Sequence, residues 1–206
     1  MSKGKTIRMY LADGSPTGLR ACELGNWSGH LLICPRARVG ELADWPETQR
    51  PGAYILFDPA TAGKACAYIG EAENVFVRLQ THVKYKPTWE RAVIFSRKDD
   101  NLTKVHVKYL ESRFVELAAR ADRFTLENTV APKLPSLPRS DRDDMEDFMD
   151  TAALLLSALG FPIFQPLPGA VAAGLAGPGD VAPTVVSTSA GPLAGMDLFL
   201  KPKFLH

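Results

Sequence analysis

Six polar residues in the middle of the chain carry side chains that could act together on a phosphodiester: Tyr54, Tyr68, Arg78, His82, Glu111 and Asn128. Hydrolysis of that bond needs an in-line water, help in removing its proton, charge stabilisation at phosphorus and relief of charge on the leaving oxygen. The planar guanidinium of Arg78 can grip a phosphate with two parallel N–H bonds and stays charged. His82 follows four residues later, so on a helix both side chains leave one face. Its imidazole can donate to phosphate or relay a proton near neutral pH. Glu111 offers the carboxylate that a hard cation, Mg²⁺ or Mn²⁺, takes along with waters and substrate phosphate. A phenol beside the attacking water can act in proton transfer, and Tyr54 and Tyr68 are both candidates. Asn128, in Leu126-Glu127-Asn128-Thr129, is either a turn residue or the amide of this set.

These residues need elements to hold them. Residues 53–57 and 66–69 are β-prone runs separated by Asp58-Pro59 and Gly63-Lys64, the pattern of a hairpin with a longer loop. Asn74 is placed to cap a helix through about residue 84, with Val75, Leu79 and Val83 on one face. Residues 89–96 read as a third strand, and a long helix follows over about 102–121, with Leu102, Val105, Leu110, Phe114, Leu117 and Ala121 near helical spacing. Ser140 opens a last helix with Asp143 as a capping-box partner. Its stripe of Met145, Phe148, Met149, Ala152, Leu155, Leu156 and Leu159 predicts a brace on the central domain with the acidic side in water.

The first fifty residues read as short strands at 6–11, 19–24 and 30–34, then a helical turn at 39–45 stopped by Pro46. They form a β-rich extension without chemistry of its own; His30 and the cysteines read as packing or surface residues. The organisation expected is therefore an extension over 1–50, a core over 51–135, an acidic amphipathic helix over 136–164 and a mobile tail over 165–206. In that tail 19 of 42 residues are Pro, Gly or Ala and four are charged, too little apolar surface to offset chain entropy. Residues 197–201 read as one further strand without a visible partner.

The chain of 206 residues balances 24 Lys and Arg against 23 Asp and Glu, so no global basic field points to nucleic acid. The charge is uneven, however. Residues 74–123 hold 11 Lys and Arg against 6 acids, a net of +5, whereas residues 139–150 hold two Arg against six acids, a net of −4. Within the basic stretch Lys84, Lys86, Lys104 and Lys108 are candidates for phosphate contacts. Three cysteines without paired spacing suggest neither a disulfide frame nor a zinc site. No secretory signal and no membrane span is visible, which points to the cytoplasm.

The ordered set Gly52-Ala53-Tyr54, Tyr68-Ile69-Gly70, Arg78, His82, Glu111 and Asn128 resembles the GIY-YIG nuclease family over about residues 51–132. Glu71-Ala72-Glu73-Asn74-Val75 before the arginine helix, Lys98-Asp99-Asp100-Asn101-Leu102-Thr103-Lys104 before Tyr109-Leu110-Glu111, and the opening Gly4-Lys5-Thr6-Ile7-Arg8 and Pro16-Thr17-Gly18-Leu19 are similar to a bacterial branch of it. The resemblance implies an α+β fold built on a small three-stranded antiparallel sheet flanked by helices. The implied activity is cleavage of DNA with one divalent metal and no small-molecule cofactor; a binding module that keeps the fold and cleaves poorly is the alternative. Ala53 departs from the larger apolar residue usual there, and it faces away from Tyr54 on a strand. Glu71 also departs, putting a carboxylate that repels DNA beside the phosphate path unless a cation or Arg78 masks it.

Overall fold

The computed structural model describes residues 4–59 and 63–166. Strands β1 (Ile7–Leu11), β2 (Arg20–Leu24) and β3 (Gly29–Pro35) lead into 3₁₀ segments Arg36–Asp44 and Pro46–Thr48. Then come β4 (Gly52–Asp58), β5 (Cys66–Ala72), α1 (Val75–Tyr85), β6 (Arg91–Arg97), α2 (Lys104–Ala121), β7 (Thr125–Leu126) and α3 (Arg139–Ala158). The expected tail and its strand at 197–201 lie outside the described residues. No helix among the described residues is long and apolar enough to cross a membrane.

The class is α+β, but the sheet is not a small three-stranded one. It is a single mixed sheet of seven strands in the order β1-β2-β3-β6-β4-β5-β7. The antiparallel trio β6-β4-β5 lies within it. The strands of the first fifty residues are not a separate layer, because β3 pairs with β6 along its whole length, from Gly29 opposite Arg97 to Pro35 opposite Arg91. Burial explains the fusion. Residues 30–34 of β3 and 92–96 of β6 are buried without interruption, as strands covered on both faces are. On the far side, β7 adds the one parallel pairing, to Cys66 and Ala67 of β5.

The two faces of the sheet carry different helices. Tyr54, Leu56, Leu32, Cys34 and Ile94 pack against Val75 and Leu79 of α1 and Val39 and Leu42 of the 3₁₀ segment. Ala53, Ile55, Ile69, Val93 and Phe95 pack against α2 and α3. Strand alternation thus sends Ala53 and Tyr54 to opposite sides.

Helix α1 begins as its cap residue dictates, with Asn74 Oδ1 accepting from the Val77 N–H at 3.0 Å. Leu102 just before helix α2, and Leu110, Phe114 and Ala121 within it, are buried as expected, and the departure is at Val105. Val107, Leu110, Phe114, Val115 and Ala118 are buried, whereas Val105 is 44 % exposed. Helix α3 buries its predicted stripe from Met145 to Leu156, yet Ser140 is not its cap; its hydroxyl turns to Asp141 at 3.1 Å. The acidic side of α3 is also not simply solvated. Asp144 accepts from Arg97 at 3.0 Å, and Glu146 accepts from Arg113 Nε and Nη2 at 2.9 and 3.0 Å and from the Tyr109 hydroxyl at 2.5 Å. Those arginines belong to the basic surplus of residues 74–123, so part of that surplus is spent on bracing.

Candidate active site

Tyr54 lies opposite Gly70 and Leu56 opposite Tyr68 in the β4–β5 ladder, which puts both tyrosines on the face that α1 covers. Gly70 makes room for this. A Cβ there would stand 2.6 Å from Cζ of Tyr54 and closer still to its hydroxyl, so only glycine lets the ring lie across β5.

Above the strands, Arg78 and His82 leave one face of α1. The Tyr54 hydroxyl joins them, 3.3 Å from Arg78 Nε and 2.8 Å from His82 Nε2. Arginine can only donate, so the phenol oxygen accepts from Arg78, and the His82 tautomer sets which way the proton lies in the second bond. Burial, with Arg78 and Lys86 adding to it, pushes the His82 pKa down to about 4, so the ring is neutral at physiological pH. Burial also raises the Tyr54 hydroxyl well above the usual phenol range, against the opposing effect of the Arg78 hydrogen bond. Tyr68 packs edge-on to His82 with ring centroids 5.4 Å apart. It is half-buried where Tyr54 is fully enclosed. Of the two phenols, Tyr68 is the one that solvent reaches.

Glu111 comes from α2. In the observed register it lies in the inward stripe of that helix, four residues from both Val107 and Val115 and three from Phe114, all buried. A carboxylate on an apolar stripe is unfavourable unless something compensates its charge. Among the described residues no hydrogen bond or ion pair holds it. Burial first, then the nearby Glu71 carboxylate, raises its pKa to about 7, with Lys108 and Arg78 opposing. Its charge is felt by Tyr54 and it feels that of Arg78, although α2 packs on the other face of the sheet from α1. An unpaired oxygen donor of this kind fits a hard divalent cation. Among the described residues, no group of three or more His, Cys, Asp or Glu side chains converges to hold a metal. One carboxylate, waters and a phosphate would therefore make the coordination shell.

Asn128 has a different place. Its amide accepts from Ile69 N–H at 3.0 Å and donates to Ile69 C=O at 2.8 Å. The side chain thus extends the short β7 as a strand partner and fixes the centre of Tyr68-Ile69-Gly70. No match to a family model, a curated protein or a solved structure was found for the chain. The resemblance to GIY-YIG nucleases therefore rests on the motif residues of the sequence alone.

The four candidate phosphate-contacting lysines divide. Lys84 and Lys108 are exposed. Lys86 stands 4.4 Å over the Tyr68 ring and pairs with Glu127 at 2.5 Å, and Lys104 pairs with Glu73. Sequence reasoning missed Glu127 as the Lys86 partner, since no spacing links them. It also missed Tyr85, whose signal was available: it is three residues beyond His82 and seven beyond Arg78, the repeat of one helix face.

Proposed function

We propose that the chain is a divalent-metal-dependent endonuclease of the GIY-YIG type that hydrolyses DNA phosphodiester bonds. The observation that carries this reading is the Arg78–Tyr54–His82 cluster, with the half-buried Glu111 close enough for Tyr54 and Arg78 to feel its charge. Arg78 meets Tyr54 through Nε, which turns the end of its fork toward phosphoryl oxygens. Tyr68, the phenol in reach of solvent, orients the attacking water and assists loss of its proton. Tyr54 is a positioning residue that sets Arg78 and His82, and Asn128 positions Tyr68 through the Ile69 backbone. Glu111 would hold one Mg²⁺ or Mn²⁺, which when bound supplies charge stabilisation at the phosphoryl oxygens and masks Glu71.

DNA is held in this reading mainly through phosphates, with Lys84 and Lys108 free to contact them and Lys86 and Lys104 exchanging their acid partners on binding. Cys22, Cys34 and Cys66 are free thiols, which suits a reducing cytoplasm. The test is incubation of the purified chain with supercoiled, branched and single-stranded DNA, with and without Mg²⁺ or Mn²⁺. Cleavage that requires the metal supports the reading. Binding without cleavage on every substrate indicates the non-cleaving module instead, and neither binding nor cleavage overturns both.

A further inference from the structure

Arg78, His82 and Tyr85 form a stripe over successive turns of α1, at spacings of four and three residues. The first two belong to the cluster just described. Tyr85 is 71 % exposed, and its hydroxyl has no hydrogen bond among the described residues. The Lys84 ammonium stands 5.1 Å from its ring centroid. At the same end of the helix Lys86 caps the Tyr68 ring at 4.4 Å. An exposed aromatic ring with a lysine beside it is the pairing that single-stranded nucleic acid uses, with bases stacked on rings and phosphates held by cations. It does little for the fold, because an exposed ring at the last residue of a helix buries almost nothing.

Resting on the nuclease reading above, we propose that Tyr85 is a base-stacking platform, and that the substrate carries an unpaired nucleotide next to the scissile phosphate. The rise of an α-helix puts Tyr85 about 10 Å along the axis from Arg78. A phosphate gripped by Arg78 therefore has the platform beside it on the same strand. Bases of a continuous duplex have both faces covered by their neighbours, so the platform selects strands with a free base: single-stranded, gapped or branched DNA. Phosphate contacts alone would accept any of these equally. Tyr85 would thus supply the substrate choice that the basic residues cannot.

The test is binding of fluorescently labelled oligonucleotides, a thymine single strand and a duplex of equal length, in chelator so that no cleavage intervenes. The full chain is compared with Tyr85→Ala and Tyr85→Phe. Tyr85→Ala should weaken single-strand binding by roughly 5- to 150-fold, the effect of removing one stacked base, and leave duplex binding within about twofold, the scale expected where no aromatic stack is lost. Tyr85→Phe keeps the ring and should match the parent on both. Equal affinities of parent and Tyr85→Ala for the single strand overturn the platform, as does an equal loss on both oligonucleotides. These outcomes leave the nuclease reading intact, since that is judged separately by metal-dependent cleavage by the parent chain. A parent that binds neither oligonucleotide overturns the platform together with the nucleic-acid reading.

Discussion

Gly70 and Tyr54 face each other across the β4–β5 ladder with no space for a side chain between them. The second glycine of the motif is therefore tied to the first tyrosine by contact. Gly70→Ala must displace the Tyr54 ring, and the hydroxyl that links Arg78 to His82 moves with it. Overpacking of this kind costs about 1–3 kcal/mol. We expect a folded protein with a lower melting temperature and a cleavage rate reduced more than tenfold, read by thermal melts and by plasmid cleavage. A variant with parental activity would mean that the Tyr54 position is not needed.

The two tyrosines should separate on losing their hydroxyls. Tyr68→Phe removes the phenol beside the attacking water, so the rate should drop with thermal stability almost unchanged. In Tyr54→Phe, Arg78 Nε and His82 Nε2 lose their shared partner, which costs about 1–3 kcal/mol of stability for half-buried polar groups. Denaturant titrations alongside single-turnover cleavage distinguish the two. The reverse pattern, with stability lost in Tyr68→Phe, would exchange the assigned roles.

Glu111 makes a prediction about pH. Its pKa of about 7 stands above the ordinary 4.5, so the native state holds the proton more tightly between those values. Its contribution to stability is complete below pH 4.5 and is lost as pH rises through about 7. His82 works in the opposite sense. Its pKa of about 4 lies below the ordinary 6.5, so its contribution is present above pH 6.5 and lost as pH falls toward 4. Without metal, Glu111→Gln should melt higher than the parent at pH 8 and nearly with it at pH 4.5. A variant that melts lower at pH 8 would show that the carboxylate is paired.

The sequence made the tyrosine–α1 cluster easier to read than the sheet around it. Tyr54, Tyr68, Arg78 and His82 follow from strand alternation and the four-residue helix repeat, both local rules. The β3–β6 pairing joins segments some sixty residues apart and leaves no local mark beyond two unbroken apolar runs. The face of α2 was legible at Leu110 and Phe114 but not at Val105, because Val105 and Val107 are both apolar and only packing decides that Val107 faces in. Asn128 was legible as polar and near a turn, but its grip on Ile69 depends on β7, whose two residues are too short to show periodicity.

The α2–α3 clamp should matter first for stability. Glu146→Ala leaves Tyr109 and Arg113 without their shared acceptor. Removing a half-buried, charged acceptor of this sort costs about 1–3 kcal/mol. Tyr109 and Arg113 lie two residues either side of Glu111 on α2, so cleavage per folded molecule should fall only as far as the loosened clamp lets Glu111 move. A chemical-denaturation midpoint at the parental value would mean the clamp is solvated in solution.

The most direct measurement is cleavage by Glu111→Gln against the parent, in Mg²⁺ and in Mn²⁺, with DNA affinity recorded in parallel. The amide keeps the size and hydrogen bonding of the carboxylate but not the charge a hard cation requires. Loss of a group that stabilises transition-state charge lowers rates by on the order of 10²–10³. The account predicts a loss of at least that size, with DNA affinity retained or tightened. A Glu111→Gln protein that cuts DNA at the parental rate would contradict it.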